Sequence, residues 1–69
     1  MSFELKNIRT GKNLSRRELA EMSGVSEQNI QRLEDFTSDP REAKLLTLEK
    51  LAKALRCRVR DFFPKEKYI

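Results

Sequence analysis

Residues 16–35 read RRELAEMSGVSEQNIQRLED, a pattern typical of two short helices joined by a tight turn. Apolar residues recur with helical spacing on both sides of Gly24. Glycine tolerates the positive φ with which a helix often ends before a sharp turn. The stretch therefore predicts one helix over about residues 16–22 and a second over about residues 27–35.

Capping residues indicate where both predicted helices begin. Ser15 precedes the first helix, and Glu18 completes a Ser-x-x-Glu capping box. Ser26 holds the equivalent position before the second helix. The apolar residues expected to face a core are Leu19, Met22, Ile30 and Leu33. A helix pair of this length with glycine in its turn is typical of the DNA-binding helix-turn-helix motif.

Another helix is predicted before this motif. It covers about residues 3–11, where Leu5 and Ile8 are three positions apart and face inward. It is expected to end near Gly11 and Asn13, because asparagine adopts the left-handed conformation more readily than most residues.

Two further helices are predicted after the motif. Thr47 is expected to cap the clearer one, whose inward face consists of Leu48, Leu51, Ala52 and Leu55. The other, over about residues 58–63, ends at Pro64 and is expected to bury Val59, Phe62 and Phe63. Since no segment alternates with the period of a strand, we predict an all-α, five-helix domain.

The segment between the motif and these last helices is the least regular. Asp39 and Pro40 have the order of a helix cap followed by proline at the first helical position. They predict a single helical turn near about residues 40–45. Leu45 and Leu46 are expected to anchor this segment to the core.

Length and charge indicate one small basic domain. The 69 residues predict a single domain over residues 1–69, with a frayed tail at residues 64–69. The net charge of +4, from 15 basic and 11 acidic side chains, favours a polyanionic partner. Residues 24–39, however, contain 1 basic and 4 acidic side chains. The second helix of the motif is therefore locally acidic.

The composition excludes several classes of function. The chain has no histidine and one cysteine, Cys57, so it has no Cys/His metal set, no intrachain disulfide and no catalytic set. We expect no enzyme activity, no cofactor and no metal. Arg56 and Arg58 can lower the pKa of the Cys57 thiol, but a packing role is favoured. No apolar run is long enough to cross a membrane, and a reducing cytoplasm is the expected setting.

Candidate base-reading residues lie on the outward face of the second motif helix. With Ile30 facing the core, Gln28 and Arg32 point outward, one turn apart. Glutamine can bind adenine and arginine can bind guanine, each through two hydrogen bonds. Glu27 can accept a hydrogen bond from cytosine, or can hold Arg32 or Arg16 in place. The alternative is that these side chains form an ordinary solvated surface.

Candidate phosphate contacts lie outside that helix. Arg16 and Arg17 open the first motif helix, where positive charge is unfavourable for the helix dipole. A phosphate bound to the backbone amides at that end would compensate both the dipole and the arginine charge. Arg41 and Lys44 are further candidates, with solubility as their alternative role.

Three segments carry a family resemblance. They are LSRRELAEMSGVSEQNIQRLE at residues 14–34, TLEKLAKAL at residues 47–55 and VRDFF at residues 59–63. Together they resemble a lambda-repressor/Cro-like (XRE-type) DNA-binding domain over roughly residues 4–63. The resemblance implies five helices and binding to double-stranded DNA as a homodimer, with the helix at about residues 27–35 in the major groove. No effector domain is visible, so no small-molecule effector is expected.

The resemblance also implies roles for individual residues. Gln28 and Arg32 match positions that commonly contact base edges, and their flanking positions are Glu27, Asn29 and Gln31. Ser15 and Arg16 match a phosphate-binding helix start. A second phosphate-contacting region corresponds to the loop that includes Thr37, Ser38, Arg41 and Lys44. Arg9 and Glu34 match a structural arginine–glutamate pair.

Three features depart from the family pattern. The loop after the second motif helix is about three or four residues longer than usual. Arg56 stands where glycine or asparagine usually ends the fourth helix, so that end is expected to be strained or differently built. Glu27 places a carboxylate where a neutral or basic residue is more common.

Two functions are therefore expected. The first is a sequence-specific transcriptional regulator that dimerises through its last helix or tail. There Tyr68 and Ile69 are favoured, because Val59, Phe62 and Phe63 are needed in the core. The second is a protein-interaction module, such as an antitoxin or an adaptor, which the acidic residues 24–39 favour.

Overall fold

The computed structural model describes residues 3–64, which form four α-helices and two short 3-10 helices. The α-helices are α1 (Leu5–Gly11), α2 (Arg16–Ser23), α3 (Glu27–Glu34) and α4 (Leu45–Leu55). The 3-10 helices are Pro40–Glu42 and Val59–Phe62. No strand occurs within residues 3–64, which confirms the all-α prediction. The expectations for Tyr68, Ile69 and the rest of residues 65–69 lie outside the described residues.

One apolar core joins these elements. Its largest fully buried apolar side chains, contributed by all four α-helices and the second 3-10 helix, are Leu5, Leu19, Ile30, Leu51, Leu55 and Phe62. Helix α2 packs against both α3 and α4, and α1 also contacts α3. Burial of apolar surface therefore sets the orientation of α3, whose opposite face stays in solvent.

The predicted caps and turn of the motif are confirmed. The Ser15 hydroxyl accepts the Glu18 N–H at 3.0 Å, and Glu18 Oε1 accepts the Ser15 N–H at 2.9 Å. Hydrogen bonding to the Ser15 N–H, and then to the Ser15 side chain, lowers the pKa of the Glu18 carboxyl. Gly24 ends α2 with a φ of 79°, and the Ser26 hydroxyl accepts the Asn29 N–H at 3.2 Å. Local sequence thus determines where α2 stops and α3 starts.

The prediction that Met22 faces the core is wrong, since 55% of its surface is exposed. The inward face of α2 instead consists of buried Leu19 and half-buried Arg16, Ala20 and Ser23. These four residues have the i, i+3, i+4, i+7 spacing of one helix face. Met22 lies about 110° away from the centre of that face.

Helix α4 begins three residues earlier than predicted. Lys44 is its N-cap and makes no side-chain capping hydrogen bond, so Thr47 lies inside the first turn and caps nothing. Leu45 and Leu46 do not anchor the segment to the core, because 63% and 62% of their surfaces are exposed. The inward residues Leu48, Leu51, Ala52 and Leu55 are all buried as predicted.

The expected fifth α-helix is a 3-10 helix, Val59–Phe62. Its backbone hydrogen bonds span three residues, as from the Asp61 N–H to the Arg58 carbonyl at 2.9 Å. Phe62 and Phe63 are buried as predicted, and Val59 packs against the core. The Phe62 carbonyl also accepts the Glu4 N–H at 2.8 Å, which ties this turn to the start of α1.

Three helices are followed by a non-glycine residue in the left-handed conformation. Arg56 ends α4 with a φ of 55°, which confirms the expected strain at that position. Phe36 follows α3 with a φ of 57° and packs edge-on against Phe3, with ring centroids 6.3 Å apart. Asn13 has a φ of 59° after α1, as its residue type predicts.

Candidate nucleic-acid interface

Helix α3 presents a polar face to solvent. Ile30 has no exposed surface and Leu33 is buried, so the opposite side of the helix is fixed outward. The exposed residues of that side are Glu27, Gln28, Asn29, Gln31 and Arg32. Gln28 and Arg32 are one turn apart on it.

The polar groups of the two main base-reading candidates have no partner among the described residues. Within residues 3–64, the side chains of Gln28 and Arg32 make no hydrogen bond or ion pair with another residue. Glu27 does not pair with Arg32 or Arg16 in this part of the chain. Arg16 is held by Glu34 and Asp35 instead, and Arg32 has no ion-pair partner within the described residues.

Glu34, at the inner end of α3, holds two arginines together. Its side chain has no exposed surface and accepts Arg9 Nε at 2.7 Å and Arg9 Nη2 at 2.9 Å. It also accepts Arg16 Nε at 2.9 Å. Arg9 Nη1 donates to the Leu14 carbonyl at 2.7 Å. This network joins α1, the start of α2 and the end of α3, and it holds α3 in place.

The network controls the charge of Glu34. Burial alone would raise the pKa of this carboxyl, but hydrogen bonds from Arg9 and Arg16 outweigh it and lower the pKa below its ordinary value. The carboxyl is therefore ionised at neutral pH. The Glu34 hydrogen bond is in turn the main cause that raises the pKa of Arg16.

Arg16 is therefore less available to DNA than its position in the sequence indicates. Besides Glu34, its guanidinium contacts Asp35 at 3.5 Å, and only 30% of its side chain is exposed. Arg17 differs, because 80% of its side chain is exposed and its Glu21 partner lies 3.4 Å away on the surface. No local sequence pattern indicates this structural role of Arg16, because its partners lie 18 and 19 residues away in sequence.

A groove lies between α3 and the loop that follows it. It has a volume of about 640 Å³. Its lining residues are Asn29, Arg32, Leu33, Thr37, Ser38, Asp39, Glu42, Ala43, Lys44 and Thr47. The groove brings two candidates from α3, Asn29 and Arg32, together with three phosphate candidates from the loop.

The sequence model of the family described as Helix-turn-helix matches residues 5–62, which include α1 through α4 and both 3-10 helices. The chain belongs to the lambda-repressor-like (XRE-type) helix-turn-helix family. This is a family of DNA-binding regulators and is not typically enzymatic. A comparison with curated proteins finds no significant match.

The phosphate candidates in the loop after α3 fall into two groups in this helix-turn-helix domain. Thr37, Ser38 and Lys44 line the groove beside α3. Arg41 does not line it, and its guanidinium contacts Asp39 at 3.3 Å. Asp39 also caps the first 3-10 helix by accepting the Arg41 N–H at 2.9 Å. Both contacts with Arg41 lower the pKa of Asp39.

Three other properties of the helix-turn-helix domain are the reactivity of Cys57, metal binding and the length of its helices. Cys57 is half-buried against the core, where burial and the nearby Asp61 charge raise the pKa of its thiol. The packing role is therefore favoured over reactivity. No group of acidic, cysteine or histidine side chains within residues 3–64 is suited to hold a metal. None of the helices in the same range has the length and apolar character to span a membrane.

Proposed function

We propose that this chain is a small cytoplasmic transcriptional regulator that binds specific sequences of double-stranded DNA. In this proposal α3 enters the major groove. The observation that carries it is the outward face of α3, where Gln28 and Arg32 are exposed, one turn apart and without partners within residues 3–64. The buried side of the same helix is fixed by Ile30 and by the Glu34 network.

Base recognition follows from the chemistry of these two side chains. Gln28 can bind the N6 and N7 atoms of adenine, and Arg32 can bind the O6 and N7 atoms of guanine. Each such contact supplies roughly 1–3 kcal/mol of discrimination against the wrong base. Asn29 and Gln31 flank them, and Glu27 can accept from the N4 amine of cytosine. A carboxylate in this position disfavours phosphates, so it adds specificity at the expense of affinity.

Affinity must then come from phosphate contacts around α3. On one side are the first residues of α2, with the Ser15 position, Arg16 and the more exposed Arg17. On the other side is the loop after α3, with Thr37, Ser38, Arg41 and Lys44. These contacts position the protein on DNA without selecting its sequence. Each of them makes the log of the affinity fall by about 0.9 for every log unit by which the salt concentration rises.

The protein is proposed to act as a homodimer, at least on DNA. One α3 contacts only a few base pairs, which gives a short half-site. A second copy doubles the contacts, with half-sites about one helical turn apart. Regulation without a small-molecule effector would then depend on protein concentration and on dimerisation.

Retention of labelled duplexes tests this proposal. The protein should retain a duplex from its own promoter at moderate salt and should release an unrelated duplex of equal length. Arg32→Ala should reduce this difference, whereas Lys6→Ala, a matched removal of positive charge from the exposed surface of α1, should leave it unchanged. Equal retention of both duplexes would contradict specific binding.

A protein-interaction module is the second candidate. The acidic residues 24–39 and the exposed Leu45 and Leu46 favour it, because neither feature assists binding to a polyanion. The two candidate functions predict different results for duplex retention at low salt. An interaction module would retain no duplex even there, and would copurify with a protein partner.

A further inference from the structure

Arg16 has two acidic partners of different kinds. Its Nε donates to Glu34 Oε1 at 2.9 Å, and the Glu34 side chain has no exposed surface. Its Nη2 lies 3.5 Å from Asp35 Oδ1, and 44% of the Asp35 side chain is exposed. The first contact is short and buried, whereas the second is long and lies in solvent, where an ion pair is weak. Glu34 therefore anchors the Arg16 guanidinium, and the Asp35 contact is the one that can be exchanged.

The Arg16 guanidinium has donors left for another anion. Its contacts with Glu34 and Asp35 use one N–H on Nε and one on Nη2. Nη1 has no partner within residues 3–64. Arg16 is held but not enclosed, because 30% of its side chain is exposed. Nη1 and Nη2 together form an edge that can hold a phosphate through two parallel hydrogen bonds.

A DNA phosphate and the Asp35 carboxylate would compete for this edge. Arg16 is the first residue of α2 and one of the phosphate contacts proposed above. Carboxylates already act on it, since the Glu34 hydrogen bond is the main cause of its raised pKa and the charges of Glu34, Asp35 and Glu27 add to it. A phosphate beside Asp35 brings two negative charges together, which is unfavourable. The arriving phosphate must therefore displace the weaker partner of Arg16, which is Asp35.

We propose that Asp35 is a positioning residue that limits sequence-independent binding to DNA by competing with phosphate for the Arg16 guanidinium. The inference rests on the proposed function and names a residue that controls its affinity. Exchange of a carboxylate for a phosphate leaves the number of ion pairs at Arg16 unchanged, so the contact adds little to the affinity for an arbitrary duplex. Base contacts of α3 do not depend on this exchange. Asp35 thus lowers the affinity for all duplexes alike and leaves the preference between sequences intact.

Fluorescence anisotropy with a random-sequence duplex tests this competition. Asp35→Asn keeps the size of the side chain and removes its charge. At low salt it should bind about two- to fivefold more tightly, which is the factor that an exposed ion pair supplies. Its salt slope should steepen by up to about 0.9, because Arg16 then gains a phosphate without losing a carboxylate. A damaged fold would weaken binding, so a gain in affinity is not explained by a structural role alone.

The control is Glu49→Gln, which makes the same change in net charge. Glu49 is an exposed residue of α4 without an ion-pair partner in the part of the chain that the structure describes. This variant should leave the salt slope unchanged. An Asp35→Asn protein whose affinity and slope equal those of Glu49→Gln would overturn the proposal.

The gain should also require Arg16. Arg16→Gln leaves the Arg9–Glu34 pair in place, so the domain should remain folded, which circular dichroism checks. In this background Asp35→Asn should change the affinity no more than Glu49→Gln does. The same gain with and without Arg16 would mean that Asp35 only repels DNA by its charge, and this would overturn the proposal.

Reaction of arginines with phenylglyoxal separates this result from the DNA proposal, because it needs no duplex. Tandem mass spectrometry locates the modified residues, and Arg17, whose exposed partner is Glu21, serves as the reference within the same chain. Asp35→Asn should increase the rate at Arg16 relative to Arg17. An unchanged relative rate overturns the proposal. An increased rate, with no variant bound to any duplex at low salt, supports the hold of Asp35 on Arg16 and contradicts the DNA-binding function instead.

Discussion

Replacing Glu34 by glutamine should remove most of the stability of this domain. Glutamine keeps the shape of the side chain but not the charge, and its NH2 group faces arginine donors. Only 9% of the Arg9 side chain is exposed, so in this variant Arg9 is a buried cation without a carboxylate partner. Breaking such a pair costs about 3–5 kcal/mol. A domain of this length has about 3–10 kcal/mol in total, at about 0.05–0.15 kcal/mol per residue.

Urea unfolding followed by circular dichroism measures this loss. The midpoint for Glu34→Gln should fall sharply, Arg16→Ala should show a smaller loss, and Arg17→Ala should stay close to the unmodified protein, because the Arg17–Glu21 pair is exposed. Combining Arg9→Met with Glu34→Leu should recover most of the loss, since no buried charge is then left unpaired and the partly exposed Arg16 keeps its Asp35 partner at 3.5 Å. A Glu34→Gln protein within about 1 kcal/mol of the unmodified one would refute the reasoning.

The same network predicts a dependence of stability on pH. The folded state lowers the pKa of Glu34 below its ordinary value of about 4.5. The unfolded chain therefore binds more protons there, and the stabilisation is fully present above that value. It is lost as the pH falls through the lowered pKa. Arg9→Met with Glu34→Leu should lack this acid-sensitive part in denaturant titrations between neutral pH and pH of about 3.

Two further predictions concern the end of α4 and the DNA contacts. Arg56→Gly should raise the free energy of unfolding by about 1 kcal/mol, because glycine adopts the left-handed conformation without a Cβ clash. A thermal melt measures it, and an unchanged or lower midpoint would contradict the strain. Lys44→Ala should weaken binding to all duplexes alike and reduce the salt slope by about 0.9, whereas Arg32→Ala should lower the preference between sequences. Fluorescence anisotropy at several salt concentrations separates the two effects, and a sequence-dependent loss for Lys44→Ala would argue against a phosphate contact.

Local chemistry explains why the motif could be predicted from the sequence. Ser15, Glu18 and Ser26 form their hydrogen bonds within three residues of the chain, and Gly24 adopts its positive φ at the position where α2 ends. Such features depend little on the rest of the fold. The buried faces of α3 and α4 were predictable for a similar reason, because α3 has two and α4 has four buried apolar residues at helical spacing.

The errors arose where tertiary packing decides the outcome. Met22 is apolar but lies off the inward face of α2, which polar Arg16 and Ser23 help to form. Leu45 and Leu46 are apolar but lie in the first turn of α4, where 63% and 62% of their surfaces remain exposed. Residue type alone predicts burial in each case, and the packing of short helices overrides it.

The structural role of Arg16 was hidden for the same reason. Its position at the start of α2 indicates a phosphate contact, but its partners Glu34 and Asp35 are 18 and 19 residues away in sequence. Contact over that separation is determined by how α2 packs on α3. The outward face of α3 did not depend on such a contact, so the placement of Gln28 and Arg32 on its exposed side followed from helical spacing.

Selection from a pool of random duplexes tests sequence-specific recognition most directly. The unmodified protein and Arg32→Ala are carried through the same selection, and the bound sequences are compared. We expect the unmodified protein to enrich two related half-sites about one helical turn apart, each with a guanine that the Arg32→Ala selection no longer requires. No enrichment by the unmodified protein, or the same guanine preference in both selections, would contradict base recognition by α3.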